Sequence, residues 1–137
     1  MAQPLRLSAG QYQSIIDHAR ACSPEEACGV LAGAGGEVER VFLMENAEHS
    51  PTFYMMDSRE QFEVFDAIER DGLELVAIFH SHPHSPPLPS AQDMELAFYP
   101  DALYLIVSLM GEEPEGRAFR IVEREVTEAG LEVIGDD

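Results

Sequence analysis

The sequence has very few cysteines. Only Cys22 and Cys28 occur among its 137 residues, and two cysteines can form neither a disulfide framework nor a four-cysteine zinc site. Nothing in the composition requires an oxidising compartment, so we expect a cytoplasmic protein. Cys28 stands in an apolar run and is interpreted as a small buried hydrophobic residue, whereas Cys22 belongs to no motif.

Basic residues are also scarce. Lys and Arg number 8 against 26 Asp and Glu, which gives a net charge of −18. A surface of this sign repels phosphate backbones and anionic lipid headgroups. The composition therefore disfavours binding to nucleic acid or to a membrane surface and favours a basic or neutral partner. The same charge would also keep a small protein soluble without any role in binding.

Long apolar runs are missing as well. The longest are only a few residues, whereas a transmembrane helix needs about 20. The N-terminal segment has no apolar core behind a basic end, so it does not predict a secretory signal. The hydrophobic fraction of 45% and the charged fraction of 25% are those of a globular chain, and we expect a single domain over residues 1–137.

Hydrophobic periodicity and turn residues predict alternating strands and helices. Helices are expected after the capping-box pairs Ser8/Gln11 and Ser58/Gln61 and after Ser90. We expect them to end near Cys22, Gly72 and Phe98. The expected strands are Leu5–Leu7, Cys28–Ala32, Val38–Leu43, Thr52–Met56, Leu73–Phe79, Ala102–Met110 and Phe119–Val126, with a short acidic tail after the last. This order is typical of an α/β or α+β fold, a sheet with helices packed on it.

Three of the five histidines fall within residues 80–84, directly after the strongest predicted strand. His80 and His82 are two residues apart, and such residues of a strand point to the same face. Both imidazoles can therefore converge on one metal ion. A catalytic zinc ion typically takes three protein ligands and one water. Asp93, in the first turn of the third predicted helix, is the leading candidate for the third ligand.

Each of these residues also has an ordinary structural interpretation. The paired histidines could be incidental at an exposed strand end. The sequence from Ser90 to Asp93 is also a common helix-capping pattern. His84 is a spare candidate, because it lies in a proline-rich loop where strand alternation no longer directs it. His18 and His49 are expected to be surface residues.

The stretch from His80 to Asp93 reads HSHPHSPPLPSAQD and carries the pattern H-x-H-P-x(6)-S-x-x-D. It resembles the signature of the JAMM (MPN+) zinc metalloproteases, which include deubiquitinating enzymes and bacterial peptidases of ubiquitin-like sulfur carriers. The family's other motif, a Glu three residues before a Gly that leads into an apolar strand, is matched by Glu26 and Gly29. The resemblance implies a cytidine-deaminase-like α+β domain, with a central mixed sheet flanked by helices.

The resemblance also implies a role for each motif residue. His80, His82 and Asp93 would hold one Zn²⁺ per chain. Glu26 would be the general base that accepts a proton from water, and Ser90 would help to stabilise the oxyanion.

Glu26 has its own alternative. Ser23-Pro24-Glu25-Glu26 has the order of a helix N-terminus, although a helix starting there would run into the strand that begins at Cys28. Glu25 stands four residues before Gly29 and is out of register with the motif.

The implied substrate is a peptide or isopeptide bond after the Gly-Gly tail of a ubiquitin-like sulfur-carrier protein, with the tail bound as an added strand. No cysteine follows Asp93, so the second Cys/His zinc site of some polyubiquitin-editing members is missing and the small bacterial form fits best. Two alternatives remain: a non-catalytic interaction domain of the same fold, and a general zinc peptidase without Gly-Gly preference. A nucleobase deaminase would need H-x-E and P-C-x-x-C, and neither occurs.

Overall fold

The computed structural model describes residues 3–135. Within this range the chain forms eight strands and three helices. The strands are β1 (Leu5–Ser8), β2 (Cys28–Ala34), β3 (Glu37–Met44), β4 (Glu74–His82), β5 (Leu103–Ser108), β6 (Glu115–Val122), β7 (Glu125–Ala129) and β8 (Leu131–Ile134). The helices are α1 (Ala9–Cys22), α2 (Ser58–Arg70) and α3 (Ala91–Glu95). None of the helices in this range is long and apolar enough to cross a membrane.

All eight strands join one mixed sheet in the order β7-β6-β5-β4-β2-β3-β1-β8. The central strand β4 runs antiparallel to β2 and parallel to β5. Both β4 and β5 are buried along nearly their whole length, which is typical of strands covered on both faces. The expected central mixed sheet is confirmed.

The helices lie on opposite faces of this sheet. Helix α1 packs Ile15 and Ile16 into a cluster that contains Phe79, while α3 and its neighbours pack against Ile78 on the other face. Helix α2 contributes Ile68 to a cluster on that second face. Because side chains alternate along a strand, His80 and His82 point to the same face as Ile78.

The first helix forms as predicted. Ser8 accepts a hydrogen bond from the Gln11 backbone N–H, and the Gln11 side chain accepts one from the Ser8 N–H. This capping box satisfies two N–H groups that the first helical turn leaves unpaired. The helix ends at Cys22, where the sequence predicts its end.

The predictions around the second helix are partly wrong. Residues 52–56 form no strand; Met56 alone makes an isolated bridge to Asn46. The predicted capping box of Ser58 and Gln61 is also wrong, because the cap is Asp57, whose carboxylate accepts the Glu60 N–H. The Gln61 side chain instead donates to the Tyr99 hydroxyl.

The C-terminal region is more folded than the sequence predicts. The expected strand Phe119–Val126 is broken by Glu123 and Arg124, whose φ angles of 50° and 68° turn the chain back as a hairpin between β6 and β7. The expected acidic tail contains β8, which pairs in parallel with β1. Helix α3 ends at Glu95, earlier than the expected end near Phe98.

Candidate metal centre

Two histidines meet where β4 ends. His80 and His82 are 1% and 3% exposed, and their Nε2 atoms lie 3.1 Å apart. His82 Nδ1 donates to the Pro86 carbonyl oxygen at 2.8 Å. This bond keeps a proton on Nδ1, so that a neutral His82 offers the lone pair of Nε2 to a metal ion.

The proline-rich loop and α3 bring Asp93 to the same point. Its Oδ2 lies 3.2 Å from His80 Nε2 and 3.1 Å from His82 Nε2. Asp93 is also the third residue of the helix capped by Ser90: Oδ2 accepts the Ser90 N–H, and Ser90 Oγ accepts the Asp93 N–H. The helix-capping interpretation is therefore correct as well, because the cap itself holds the carboxylate beside the histidines.

The three side chains fit a zinc ion. A tetrahedral zinc at about 2.0–2.1 Å from each ligand places the ligand atoms roughly 3.3 Å from one another, close to the observed 3.1–3.2 Å separations. Among the described residues, His80, His82 and Asp93 form the group of His, Cys, Asp or Glu side chains that could hold a metal ion. The donor set of two imidazoles and a carboxylate is also that of catalytic zinc sites.

The charges in the site fit a cation. Burial acts to raise the pKa of Asp93, but hydrogen bonds with His80 and His82 outweigh it and hold that pKa well below the usual range. Burial lowers the pKa of His80. Burial acts in the same direction on His82, but the hydrogen bonds with Asp93 and the Pro86 carbonyl raise its pKa. The site therefore offers an ionised carboxylate to a metal cation that the two imidazoles bind.

The chain direction brings Glu26 to this cluster. Cys28 of β2 lies opposite His80 of β4, and one step further the Ser81 N–H donates to the Ala27 carbonyl at 3.0 Å. Continuing this antiparallel register pairs Glu26 with His82. Residues directly opposite each other share a face of the sheet, so Glu26 points to the side of the histidines.

Glu26 is deeply buried, with 3% of its surface exposed. Within residues 3–135 its Oε1 has no hydrogen-bond partner. Burial raises its pKa to about 8; the nearby His82 lowers it and the Asp93 charge raises it further. A carboxyl group with this pKa can accept and return a proton near neutral pH.

Gly29 allows the strands beside Glu26 to close. A Cβ at this position would lie 2.2 Å from the Phe79 ring and 2.3 Å from the Phe42 carbonyl oxygen, far inside van der Waals contact. The glycine of the Glu26–Gly29 motif is therefore required because β2 is squeezed between a side chain of β4 and the backbone of β3.

Three functional candidates were missed at the level of sequence. The Ser81 hydroxyl accepts the Ala27 N–H at 2.7 Å and helps to fix the backbone after Glu26. Asn46 donates to the Glu26 carbonyl, and Tyr54 stacks on His80 with ring centroids 4.6 Å apart. The position of Ser81 between the two histidines is a sequence signal; Asn46 and Tyr54 carry none, because their contacts are with residues distant in sequence.

An apolar groove of about 230 Å³ lies beside Tyr54. Tyr54 lines it and also stacks on His80. Met55 and Phe98, which line the groove as well, are about half and two-thirds exposed. The groove is therefore an open, apolar surface that is connected to His80 by the stacked ring of Tyr54.

The remaining candidates lie apart from the cluster. His84 is exposed in the loop, and His49 is an exposed partner of Glu25. His18, expected on the surface, is half-buried and donates from Nε2 to the Met44 carbonyl. Cys28 is fully buried, as predicted.

The chain matches the family described as prokaryotic homologs of the JAB domain over residues 8–122. It is 44% identical over 133 residues to the CysO-cysteine peptidase of Mycobacterium tuberculosis, which covers 95% of this chain and 91% of that protein. It is 39% identical over 120 residues to the desampylase of Haloferax volcanii, which covers 82% of this chain and 83% of that protein.

The fold is shared with a solved structure. The solution structure of a protein from Desulfitobacterium hafniense matches with a TM-score of 0.85 and 36% identity, covering 96% of this chain and 93% of that chain. The matched family segment includes Glu26, His80, His82, Ser90 and Asp93. The resemblance inferred from the two motifs is confirmed: the chain belongs to the prokaryotic branch of the JAB (JAMM) domain family.

Proposed function

We propose that this chain is a zinc metallopeptidase that hydrolyses the amide bond after the Gly-Gly tail of a ubiquitin-like sulfur-carrier protein, and that residues 1–137 form one catalytic domain. The observation that carries the proposal is the convergence of His80, His82 and Asp93 within 3.1–3.2 Å of one another on the side of the sheet to which the buried Glu26 points.

The ligand set defines what the metal would contribute. His80, His82 and Asp93 hold one zinc ion, which when bound polarises the scissile carbonyl and lowers the pKa of a coordinated water to about 7. The hydrogen bond from His82 Nδ1 to Pro86 keeps one imidazole oriented for this task. In the metal-free site, hydrogen bonds with the two imidazoles keep the Asp93 carboxylate ionised, so that it can exchange these bonds for a bond to the cation.

Glu26 moves the proton. Its Oε1, which has no hydrogen-bond partner among residues 3–135, accepts a proton from the attacking water and then delivers it to the leaving amine. The pKa of Glu26, about 8 in the metal-free site, would be lowered by the charge of a bound cation toward the working pH at which general acid–base catalysis is most efficient. No covalent acyl-enzyme is required, so neither Cys22 nor Cys28 takes part.

Ser90 stabilises the developing oxyanion. Its Oγ already accepts the Asp93 N–H, which fixes the hydroxyl in place and leaves its proton free to donate. A single donor of this kind is typically worth roughly 3–4 kcal/mol in the transition state. The hydroxyl oxygen of Ser90 can therefore cap the helix while the hydroxyl proton stabilises the oxyanion.

Three features support the substrate. The relatives are named for a CysO-cysteine peptidase and a desampylase activity, which favours a bond that joins a small carrier protein to an amino acid or another protein. The apolar groove beside Tyr54 offers room for an extended tail, and backbone pairing would make a Gly-Gly end easy to admit. The charge of −18 favours a carrier with a basic face.

The non-catalytic alternative is disfavoured because all five motif residues are present and the three ligand side chains converge.

An experiment distinguishes the general-peptidase alternative from the proposed function. A carrier ending in Gly-Gly and extended by a single cysteine is incubated with the protein and analysed by intact mass. We expect release of cysteine after Gly-Gly, and a sharp fall in kcat/KM when the last Gly is replaced by Ala. Equal cleavage of unstructured peptides without Gly-Gly would contradict the proposed specificity.

A further inference from the structure

We propose that Asn46 is a positioning residue that holds the general base Glu26 and the metal ligand His80 in a fixed relation to each other. This inference rests on the proposed function, since it assigns Glu26 and His80 the roles given above. Asn46 is not part of either sequence motif, and it touches no reacting group; it acts through the backbone of Glu26 and through Tyr54.

The Asn46 side chain is the centre of a buried hydrogen-bond network. It is 5% exposed, and both ends of its amide are used. The Nδ2 group donates to the carbonyl oxygens of Glu26 at 3.0 Å and Phe53 at 2.9 Å. The Oδ1 atom accepts the N–H groups of Glu48 at 3.0 Å and Met55 at 3.2 Å. Only a side-chain amide offers two donors and an acceptor from one planar group.

One branch of this network reaches the general base. The Glu26 carbonyl accepts from Asn46, and the Glu26 N–H donates to the Ser50 carbonyl at 2.8 Å. Both backbone polar groups of Glu26 are therefore held by the segment formed by residues 46–56. The carboxylate lacks a hydrogen-bond partner at Oε1 within the described residues, so its position depends on this backbone anchoring.

The other branch reaches the metal ligand. Asn46 bonds to Phe53 and Met55, the residues on either side of Tyr54. The Tyr54 ring stacks on His80 with an interplanar angle of 20°. Ligating histidines are usually oriented by a hydrogen bond at the second ring nitrogen, but within residues 3–135 His80 Nδ1 has no such partner. The stacked ring takes that place.

The two branches make a specific demand on residue 46. Replacement by Asp keeps the shape and the acceptor for Glu48 and Met55, but it turns both donated bonds into contacts between oxygens. The Glu26 backbone and the segment carrying Tyr54 should then move together. The backbone hydrogen bond between the Ala47 N–H and the Met55 carbonyl remains available to keep the segment folded.

The experiment compares Asn46→Asp with wild type in two measurements. Zinc release to a chromogenic chelator reports the ligand His80 and needs no turnover, and kcat on the carrier–cysteine fusion reports Glu26. We expect release to be at least about tenfold faster and kcat to fall about 10–100-fold, with KM within about twofold. Circular dichroism tests whether Asn46→Asp is folded. If it is not, Asn46→Ala takes its place, with the same expected changes in zinc release, kcat and KM.

Matched controls separate positioning from a general loosening of the segment. Thr52→Val removes an exposed hydroxyl in the same segment, which lies near Ser50 Oγ only, and should leave both measurements unchanged. Tyr54→Phe keeps the stacked ring and should release zinc as wild type does, whereas Tyr54→Leu should release it faster. An effect of Thr52→Val equal to that of Asn46→Asp would overturn the proposal.

The remaining outcomes also test the role proposed for Asn46. The proposed coupling between Glu26 and His80 is overturned if the zinc-release rate and the kcat of Asn46→Asp both stay within about twofold of wild type, or if only one of them changes. A wild type that binds zinc but cleaves no carrier fusion contradicts the proposed function, and zinc release alone then decides the role of Asn46. Wild-type protein gives a further test: the Asn46 side-chain amide signals should shift when zinc is added to metal-free protein, and signals that do not respond overturn the proposal.

Discussion

Replacing the buried acid Glu26 by Gln should stabilise the metal-free protein while it abolishes turnover. Glu26 is 3% exposed and its pKa is raised from 4.5 to about 8. An acid whose pKa is higher in the folded state than in the unfolded state loses stability as the pH rises between these two values. The neutral amide of Gln has the same shape and does not carry this cost.

The magnitude follows from the pKa. At pH 7 the Glu26 carboxyl is ionised in the unfolded state and mostly protonated in the folded state. This difference lowers the free energy of unfolding by about 3 kcal/mol, at roughly 1.36 kcal/mol per pKa unit. The same relation gives a penalty of about 1 kcal/mol at pH 5 and about 4 kcal/mol at pH 8. The cost of burying a neutral group cancels, because a protonated carboxyl and an amide are buried alike.

The assay is urea unfolding of chelator-treated wild type and Glu26→Gln from pH 5 to pH 8. We expect the variant to be more stable, by a margin that grows with pH. Glu25→Gln is the control: Glu25 is an exposed partner of His49, so its replacement should change stability by less than about 0.5 kcal/mol. A Glu26→Gln variant no more stable than wild type at pH 8 would refute the reasoning. With zinc restored, its kcat should be at least about 10²-fold lower.

Other changes test single parts of the account. Gly29→Ala should destabilise the fold by about 1–3 kcal/mol through overpacking, whereas Gly111→Ala, with its nearest neighbour 3.7 Å away, should not; equal thermal unfolding of the two variants would contradict the packing argument. Ser90→Ala should lower kcat by roughly 10²-fold, and Ser90→Thr should restore much of it; wild-type kcat in the alanine variant would remove Ser90 from the mechanism. Raising the salt concentration should raise KM for a basic carrier and leave kcat unchanged, because screening weakens only the attraction; a KM independent of salt would exclude steering by the acidic surface.

The sequence predicts the convergence of His80, His82 and Asp93 because its determinants are local. His80 and His82 share a face by strand alternation, and Ser90 and Asp93 lie in one capping box. The structure adds that the cap and the cluster use the same carboxylate oxygen of Asp93. Local rules therefore predict a cluster of this kind when a strand end and a helix start supply all of its side chains.

The parts that the sequence does not predict depend on distant contacts or unusual backbone angles. Residues 52–56 have the composition of a strand, but their backbone bonds to the Asn46 amide instead of to a neighbouring strand. The β6–β7 hairpin turns at Glu123 and Arg124 with positive φ, although such turns normally contain Asn, Asp or Gly. Burial also gives Glu26 its raised pKa, and that burial appears only when β2 and β4 pair.

Metal content tests the central claim that His80, His82 and Asp93 form a zinc centre. Native mass spectrometry of protein produced with ample zinc should show one zinc ion per chain in wild type and in Glu26→Gln. The same measurement on folded His82→Ala should show the ion lost, because one of three converging ligands is gone. Wild-type protein without zinc, or His82→Ala with a full zinc ion, would contradict the account.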